Sequence, residues 1–244
     1  MDRDTHNRLK KILHDLDTVN YIKPGEIPQI DLYMDQVTTF LEERLKGATR
    51  NPEEDKVLTK TMINNYAKNK LLPSPEKKKY SRDHMILLIY IYYLKGILSI
   101  SDIQTFLGPL TESHFQTDEE GRPDMAEIYA NIVKLGEKEV HAVERDIVRK
   151  FNDMDLLYED VDEEEDQSYL RYFSYVCTLS FDVFIKKLII EKLIDQMEQK
   201  EVERAERQKQ EKQTAEKAKA EKTGKKTDSK NDKEEKTGNG KKKA

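Results

Sequence analysis

Apolar residues recur at helical spacing along most of the chain and predict a mostly α-helical protein. Within each stretch they follow one another at intervals of three or four residues, which places them on one face of a helix. The predicted helices cover residues 9–16, 31–45, 59–66, 81–94, 99–107, 125–151 and 168–197.

Residues with capping side chains stand where four of these helices begin. Asp31, Thr59 and Ser81 each precede a helical pattern, and Ser99 with Asp102 three residues later resembles a capping box. The helix after Ser81 is apolar on nearly every side, which predicts burial over most of its surface.

The C-terminal half predicts a pair of long helices followed by a charged tail. All seven prolines precede Met125, so no proline interrupts the helices at 125–151 and 168–197. The acidic run between them, residues 153–166, is interpreted as a solvated loop, because its spacing does not match an EF-hand. From residue 198 large apolar residues are almost absent. We expect this tail to be helical at first and disordered from about Thr223.

The segment Leu58–Leu110 has the order of parts of a winged helix-turn-helix. A short polar helix leads to Leu71-Leu72-Pro73. A basic strip (Glu76–Tyr80), an apolar helix and a further helix follow. A helix of such a motif docks in the major groove of DNA. The predicted organisation is residues 1–28, an N-terminal helix and loop; 29–110, the winged domain; 111–200, a C-terminal helical region; and 201–244, a largely disordered tail.

This segment has a positive net charge, whereas the net charge of the whole chain is negative. Between Lys56 and Phe106 there are nine Lys or Arg residues and three acids, whereas the 244-residue chain has a net charge of −5. Clustered positive charge is typical of a phosphate-binding surface. The tail from residue 198 carries sixteen basic and eleven acidic residues, so the remainder has a net charge of about −10.

Two polar sets in this segment are candidates for contact with double-stranded DNA. Lysines of the basic strip can bind phosphates, and asparagines of the short helix can pair with adenine. Each set also has a plainer interpretation. The lysines would then form a solvated turn, and the residues of the short helix an ordinary exposed helix face. The candidate DNA-binding residues are Thr59, Lys60, Thr61, Asn64, Asn65, Tyr66, Lys68, Lys77, Lys78, Lys79, Tyr80 and Arg82.

The last long helix carries more apolar side chains than one partner helix can cover. We therefore expect it to form the interface of a homodimer, with Phe173, Phe181, Phe184 and Leu188 in that interface. The alternative is that the N-terminal helices cover this surface within one chain. The single cysteine, Cys177, excludes a disulfide within the chain and is expected to be a small buried residue of this helix.

Catalytic and metal-binding motifs are not recognisable in the sequence. The five histidines are scattered, and neither a glycine-rich phosphate loop nor a nucleophile elbow is present. We expect no enzyme activity, no metal and no cofactor. A signal peptide and a membrane span are also not recognisable, and with one cysteine a cytoplasmic location is expected.

The segment Leu58–Leu107 resembles the MerR-type winged helix. The shared features are Tyr66, Leu71-Leu72-Pro73, Tyr80 and the turn SISDI at 99–103. The resemblance implies a recognition helix, a wing and a supporting helix pair. The sequence departs from the family where Lys70 replaces a glycine, where Asn64-Asn65 replace Arg-Tyr, and where a short wing lacks a glycine turn.

The span Ile30–Leu110 more closely resembles an uncharacterised bacterial family known as domain of unknown function 1836. The matching phrases are IDLYMDQVTTF, LTKTMINNY and KKKYSRDHMILLIYIYYLK. This resemblance implies a MerR-like helical fold and no established activity. The sequence thus predicts a dimeric, DNA-binding transcriptional regulator whose target sequence and effector are unknown. The alternative is a non-catalytic protein-interaction module on a winged-helix fold that no longer binds DNA.

Overall fold

A computed structural model describes residues 7, 9–13, 22–117 and 119–235, with side chains through residue 211. Over these residues the chain is mostly helical, with one small antiparallel sheet. Short 3-10 helices occupy Pro24–Glu26 and Lys46–Ala48. The longer elements are β1 (Leu32–Tyr33), α1 (Met34–Leu45), α2 (Lys60–Lys68), β2 (Lys79–Tyr80), α3 (Arg82–Leu94), α4 (Ile100–His114), α5 (Met125–Asp155) and α6 (Glu164–Glu235).

The sheet brings together two segments that are distant in sequence. Leu32 of β1 lies opposite Tyr80 of β2, and both side chains are buried. This pairing makes one prediction wrong, because Asp31 does not cap the following helix. The chain stays extended through Tyr33 to pair with β2, so Tyr33 is the N-cap of α1, and its N–H donates to Gln36 Oε1 at 2.9 Å.

Three other predicted helix starts are confirmed. The Thr59 hydroxyl accepts the N–H of Met62 at 3.2 Å. Ser99 and Asp102 form the reciprocal pair, with distances of 3.1 and 3.2 Å between each side-chain oxygen and the other residue's nitrogen. Ser81 is the N-cap of α3. Each bond satisfies a donor that the first helical turn would otherwise leave open.

The core extends beyond the predicted winged domain at both ends. Ile22 and Ile27 precede it and are each 2% exposed. Met125, Tyr129 and Val133 follow it on α5 and are buried against the same cluster. The Tyr129 hydroxyl donates to the carbonyl of Ile22 at 2.6 Å. The compact part therefore runs from about residue 22 to the first third of α5, and Ile194 of α6 is buried against the same cluster.

α5 and the first part of α6 form a helical pair next to a loop at residues 156–163. The rings of Phe151 and Tyr175 meet edge to face at 5.4 Å. Lys150 Nζ lies 3.0 Å from Asp182, and the Arg171 Nε–H donates to the carbonyl of Leu157 at 2.7 Å. These contacts join the end of α5 to α6.

One prediction about the C-terminal half is wrong. Cys177 is exposed, since its side of α6 does not face α5. Helix α6 continues into the tail as far as Glu235, and disorder from about Thr223 stays a prediction. The alanine, glutamate, lysine and glutamine residues of the tail favour the helix without needing a core. The predicted segments 14–16 and 236–244 lie outside the described residues.

The chain falls into two units, Met1–Ile194 and Asp195–Ala244. In the second unit almost every side chain from residue 195 to residue 211 is exposed. Among the described residues, no helix is both long and apolar enough to cross a membrane.

Candidate nucleic-acid interface

Helix α2 is anchored by one face and presents the opposite one to solvent. Ile63 is fully buried and Tyr66 is 7% exposed. After the helix, the N–H groups of Leu71 and Leu72 donate to the carbonyl of Tyr66 at 2.9 and 3.2 Å, which closes its C-terminal end. The exposed polar residues of α2 are Lys60, Thr61, Asn64, Asn65 and Lys68, with Thr59 partly exposed at the cap.

The turn after α2 requires a left-handed backbone at Lys70, where φ is +60°. A glycine adopts this conformation freely, whereas an L side chain loses roughly 1–2 kcal/mol. The glycine that MerR-type sequences carry at this position would remove the strain. A lysine at position 70 is therefore less favourable for local stability than a glycine would be.

At the tip of the basic strip, two further lysines have a left-handed backbone. Glu76 and Lys79 form an antiparallel bridge, and the Lys79 N–H donates to the Glu76 carbonyl at 2.8 Å. The two residues between them, Lys77 and Lys78, have φ values of 48° and 65°. Positive φ at both central positions is the mark of a type I′ turn, which strongly prefers Asn-Gly. Both lysines are exposed, so two cations stand where folding favours small residues.

The base of the strip is fastened to the domain. Lys79 is only partly exposed, and its Nζ lies 5.4 Å from the centroid of the Tyr33 ring. Tyr80 is 3% exposed. Burial raises the pKa of the Tyr66 and Tyr80 hydroxyls. Both tyrosines pack into the fold and do not present their rings to solvent.

His84 lies beneath the base of the strip and was not among the candidates from the sequence. It is 2% exposed, and its ring meets those of Tyr80 and Phe115 edge to face at 5.5 and 4.8 Å. Nδ1 accepts the N–H of Ser81 at 3.0 Å. The neutral ring therefore carries its proton on Nε2. Its position three residues after a serine N-cap is the sequence signal that could have pointed to it.

The buried position of His84 disfavours its charged form. Burial lowers the pKa of this imidazole, although the carbonyls of Pro73 and Ser74 and the charge of Asp31 act in the opposite direction. Nε2 is buried without a hydrogen-bond partner of good geometry among the described residues. Since the Pro73 and Ser74 carbonyls are near the ring, the histidine connects the start of α3 with the start of the basic strip.

Two of the basic residues counted in the sequence are used inside the fold. The Arg82 guanidinium donates to the carbonyl of Pro24 at 3.0 Å and is partly buried. Lys95 Nζ donates to the carbonyl of Val57 at 2.6 Å, and burial lowers the pKa of its ammonium group. The cations free to meet a phosphate are thus fewer than the composition suggests.

Carboxylates flank the N-terminal end of α2. Lys60 forms an ion pair with Asp35 at the start of α1. A groove of about 560 Å³ between the two helices is lined by Glu42, Glu43 and Lys56, among others. Glu42 also accepts the N–H of Val57 at 3.3 Å. Negative charge next to the first turn of α2 opposes the approach of a phosphate there.

Within the described residues, no cluster of three or more His, Cys, Asp or Glu side chains is arranged to hold a metal ion. The loop at 156–163 and its acidic neighbours accordingly give no ligand set in the structure.

Most of the compact core lies within a match to a known family. Residues 22–132 match the model of a family described as Domain of unknown function (DUF1836). The match begins at the first buried residue, Ile22, and ends beside Val133, the last apolar core residue of α5. It extends beyond the span recognised in the sequence, Ile30–Leu110, on both sides, and covers less than half of the chain. No curated protein and no solved structure has a significant match to the chain.

Proposed function

We propose that residues 29–110 form a MerR-like winged helix-turn-helix that binds double-stranded DNA, and that the protein regulates transcription. The observation that carries this proposal is the strip tip, where Lys77 and Lys78 occupy left-handed positions in a tight turn and are exposed. Their side chains reduce local stability, so the presence of two lysines there is better explained by a contact with an anion than by folding.

The polar face of α2 supports the same function. Ile63 and Tyr66 fix the helix from behind, so the exposed side chains have a rigid support. Asn64 and Asn65 lie next to each other on that face, and an asparagine amide can bond adenine through two hydrogen bonds. Lys68 adds a positive charge at the end of the helix. A rigid polar helix beside a basic turn supplies base contacts and phosphate contacts together.

A protein-interaction module is the second candidate, and one observation favours it. The first turn of α2 is held by the Lys60–Asp35 ion pair and lies beside Glu42 and Glu43. An acidic edge at that position suits a basic partner surface better than a phosphate backbone. Fluorescence anisotropy with a labelled duplex of mixed sequence distinguishes the two functions.

The decisive comparison uses two double variants that remove the same charge. Lys77→Asn with Lys78→Gly suits the turn and removes its cations, whereas Lys134→Ala with Lys138→Ala removes two exposed lysines of α5. The first should weaken binding to every duplex and lower the slope of log affinity against log salt by roughly two, at just under one per contact. The second should keep the wild-type slope. Absence of salt-dependent binding by the wild-type protein would exclude the DNA function.

The recognition helix needs a separate test, because phosphate contacts do not depend on sequence. A genomic binding profile of the tagged protein supplies candidate duplexes. On these, Asn64→Ala or Asn65→Ala should change the order of preference among duplexes and leave the salt slope nearly unchanged. If both variants keep the wild-type order, the recognition helix has been assigned to the wrong element.

A further inference from the structure

The small sheet has one face toward the core and one face toward solvent. Leu32 and Tyr80 lie opposite each other on the buried face. Tyr33 and Lys79 are the other opposite pair, so their side chains project together from the solvent face. Tyr33 is 54% exposed and Lys79 is partly exposed. An aromatic ring and a cation are therefore direct neighbours on this surface.

The Tyr33 ring holds the ammonium group of Lys79. The Lys79 Nζ lies over the ring, 5.4 Å from its centroid, within the roughly 6 Å at which a cation is attracted to the face of an aromatic ring. An unrestrained lysine side chain has many rotamers, and ordering it at an interface lowers affinity. Lys79 is thus partly ordered before a ligand binds.

Tyr33 also lies next to the start of α2. It is the N-cap of α1, and Asp35 in the first turn of that helix forms an ion pair with Lys60 of α2. Lys79 directly follows the exposed turn at the strip tip. The pair of Tyr33 and Lys79 therefore lies at the junction of the two elements that contact DNA in the proposed function, the strip and α2.

We infer that Tyr33 is a positioning residue of the proposed DNA interface, whose ring keeps the Lys79 ammonium group directed toward a phosphate between the strip tip and α2. A ring on one side of the ammonium group leaves donors on the other side for an anion, because a lysine carries three N–H groups. The inference rests on the proposed function, because the phosphate belongs to that interface.

A purely structural role for Tyr33 gives different expectations. The ring would then only cover the sheet, and its loss would lower the melting temperature without a specific effect on Lys79. The N-cap bond from the Tyr33 N–H to Gln36 comes from the backbone, so substitutions of the side chain leave it in place. The two roles can therefore be separated by changing the ring alone.

Three variants make this separation, measured by fluorescence anisotropy with the labelled duplex of mixed sequence. Tyr33→Phe keeps the ring, and Tyr33→Leu keeps an apolar side chain without a ring face. Ile30→Ala is the matched control, since Ile30 is 71% exposed and precedes the sheet. Tyr33→Leu should weaken binding roughly two- to five-fold with a nearly unchanged melting temperature. Tyr33→Phe and Ile30→Ala should bind like the wild-type protein.

A double-mutant cycle with Lys79→Ala identifies the partner of the ring. In the Lys79→Ala background, Tyr33→Leu should have no further effect on affinity, because the ring then has no ammonium group to position. Additive losses in this cycle, equal losses for Tyr33→Phe and Tyr33→Leu, or binding by Tyr33→Leu that equals or exceeds that of the wild-type protein would each overturn the inference.

Proton NMR without DNA tests the contact itself. The ring current of Tyr33 should shift the methylene protons next to the Lys79 ammonium group upfield in the wild-type protein and in Tyr33→Phe, but not in Tyr33→Leu. The signal is assigned by its loss in Lys79→Ala, and an unshifted wild-type signal would contradict the contact. A shifted signal without salt-dependent DNA binding would reject the proposed function. DNA binding that is equal in the wild-type protein and Tyr33→Leu would reject only the positioning role.

Discussion

Helix α3 and the first part of α6 are both rich in apolar residues, but they occupy opposite environments. In α3, every residue from Met85 to Ile89 is fully buried, because β2, α5 and the loops of the compact core surround the helix. In α6, Phe181 and Phe184 remain more than half exposed, because α5 contacts the other side. Apolar content thus shows that a helix needs partners, but it does not show that one chain supplies them.

The largest effect should come from the same substitution made in each helix. Leu88 is fully buried and Leu188 is 41% exposed. Leu88→Ala should lower the free energy of unfolding by about 2–5 kcal/mol, because it leaves a cavity in a core that relaxes only partly. Leu188→Ala should lower it by less than about 1 kcal/mol in the same urea unfolding measurement, because the Leu188 side chain is only partly covered in the folded chain. An equal loss of unfolding free energy at positions 88 and 188 would contradict the difference in burial between the two helices.

The second prediction concerns the buried core, whose stability should depend on pH because of His84. His84 has a lowered pKa in the folded protein, so between its folded value and about 6.5 the unfolded chain binds more protons. Stability is therefore complete above about pH 6.5 and declines as the pH falls below it, by at most about 1.4 kcal/mol per pH unit.

The variant His84→Gln tests this assignment. Glutamine can still accept the N–H of Ser81 but does not titrate, so the decline between about pH 6.5 and 5 should become smaller than in the wild-type protein. Burial raises the pKa of Asp83, but this residue is unchanged in the variant, so its contribution to the decline is the same in both proteins. An unchanged decline would assign the pH dependence to another group.

The third prediction concerns the surface of the compact core, where two lysines share the same backbone strain. Lys70 and Lys78 have φ values of 60° and 65°. Replacing either with glycine should stabilise the protein by about 0.5–1 kcal/mol, because relief of strain exceeds the extra entropy of glycine in the unfolded chain. Only Lys78→Gly should also lower the salt slope of DNA binding, by roughly one. An equal loss of DNA affinity in both variants would contradict the special role of the strip tip.

The smallest effect should come from Asp35→Asn, which frees Lys60 at the start of α2. Both side chains are more than half exposed, so the ion pair contributes less than about 1 kcal/mol and the melting temperature should hardly change. DNA affinity should rise a few-fold, because the change removes one negative charge near the phosphates. A fall in affinity would favour the protein-interaction module.

Local features of the sequence predicted several parts of the fold correctly. Thr59, Ser81 and Ser99 begin helices, because a capping side chain acts on backbone groups within the same turn. The burial of α3 also followed from its own residues, since a helix that is apolar on every side must be covered. Lys77 and Lys78 of the strip and the asparagines of α2 are exposed, as expected for polar side chains in a turn and on a polar helix face.

Other features depended on contacts between residues that are distant in sequence. Asp31 lost its predicted capping role because Leu32 and Tyr33 pair with β2. His84 was missed because its surroundings come from the strip, from α3 and from the residue after α4. The strained turn at Lys77 and Lys78 was also hidden, since neither residue type indicates a left-handed backbone.

The sequence by itself determined where most helices begin, which helix is buried and where positive charge accumulates, because these properties act over a few neighbouring residues. Only the tertiary structure decided that Tyr66 and Tyr80 are buried, that Met125 and Tyr129 complete the core, and that Cys177 faces solvent. The physical reason is that burial depends on which surfaces meet, and an apolar residue gains the same free energy from any surface that excludes water.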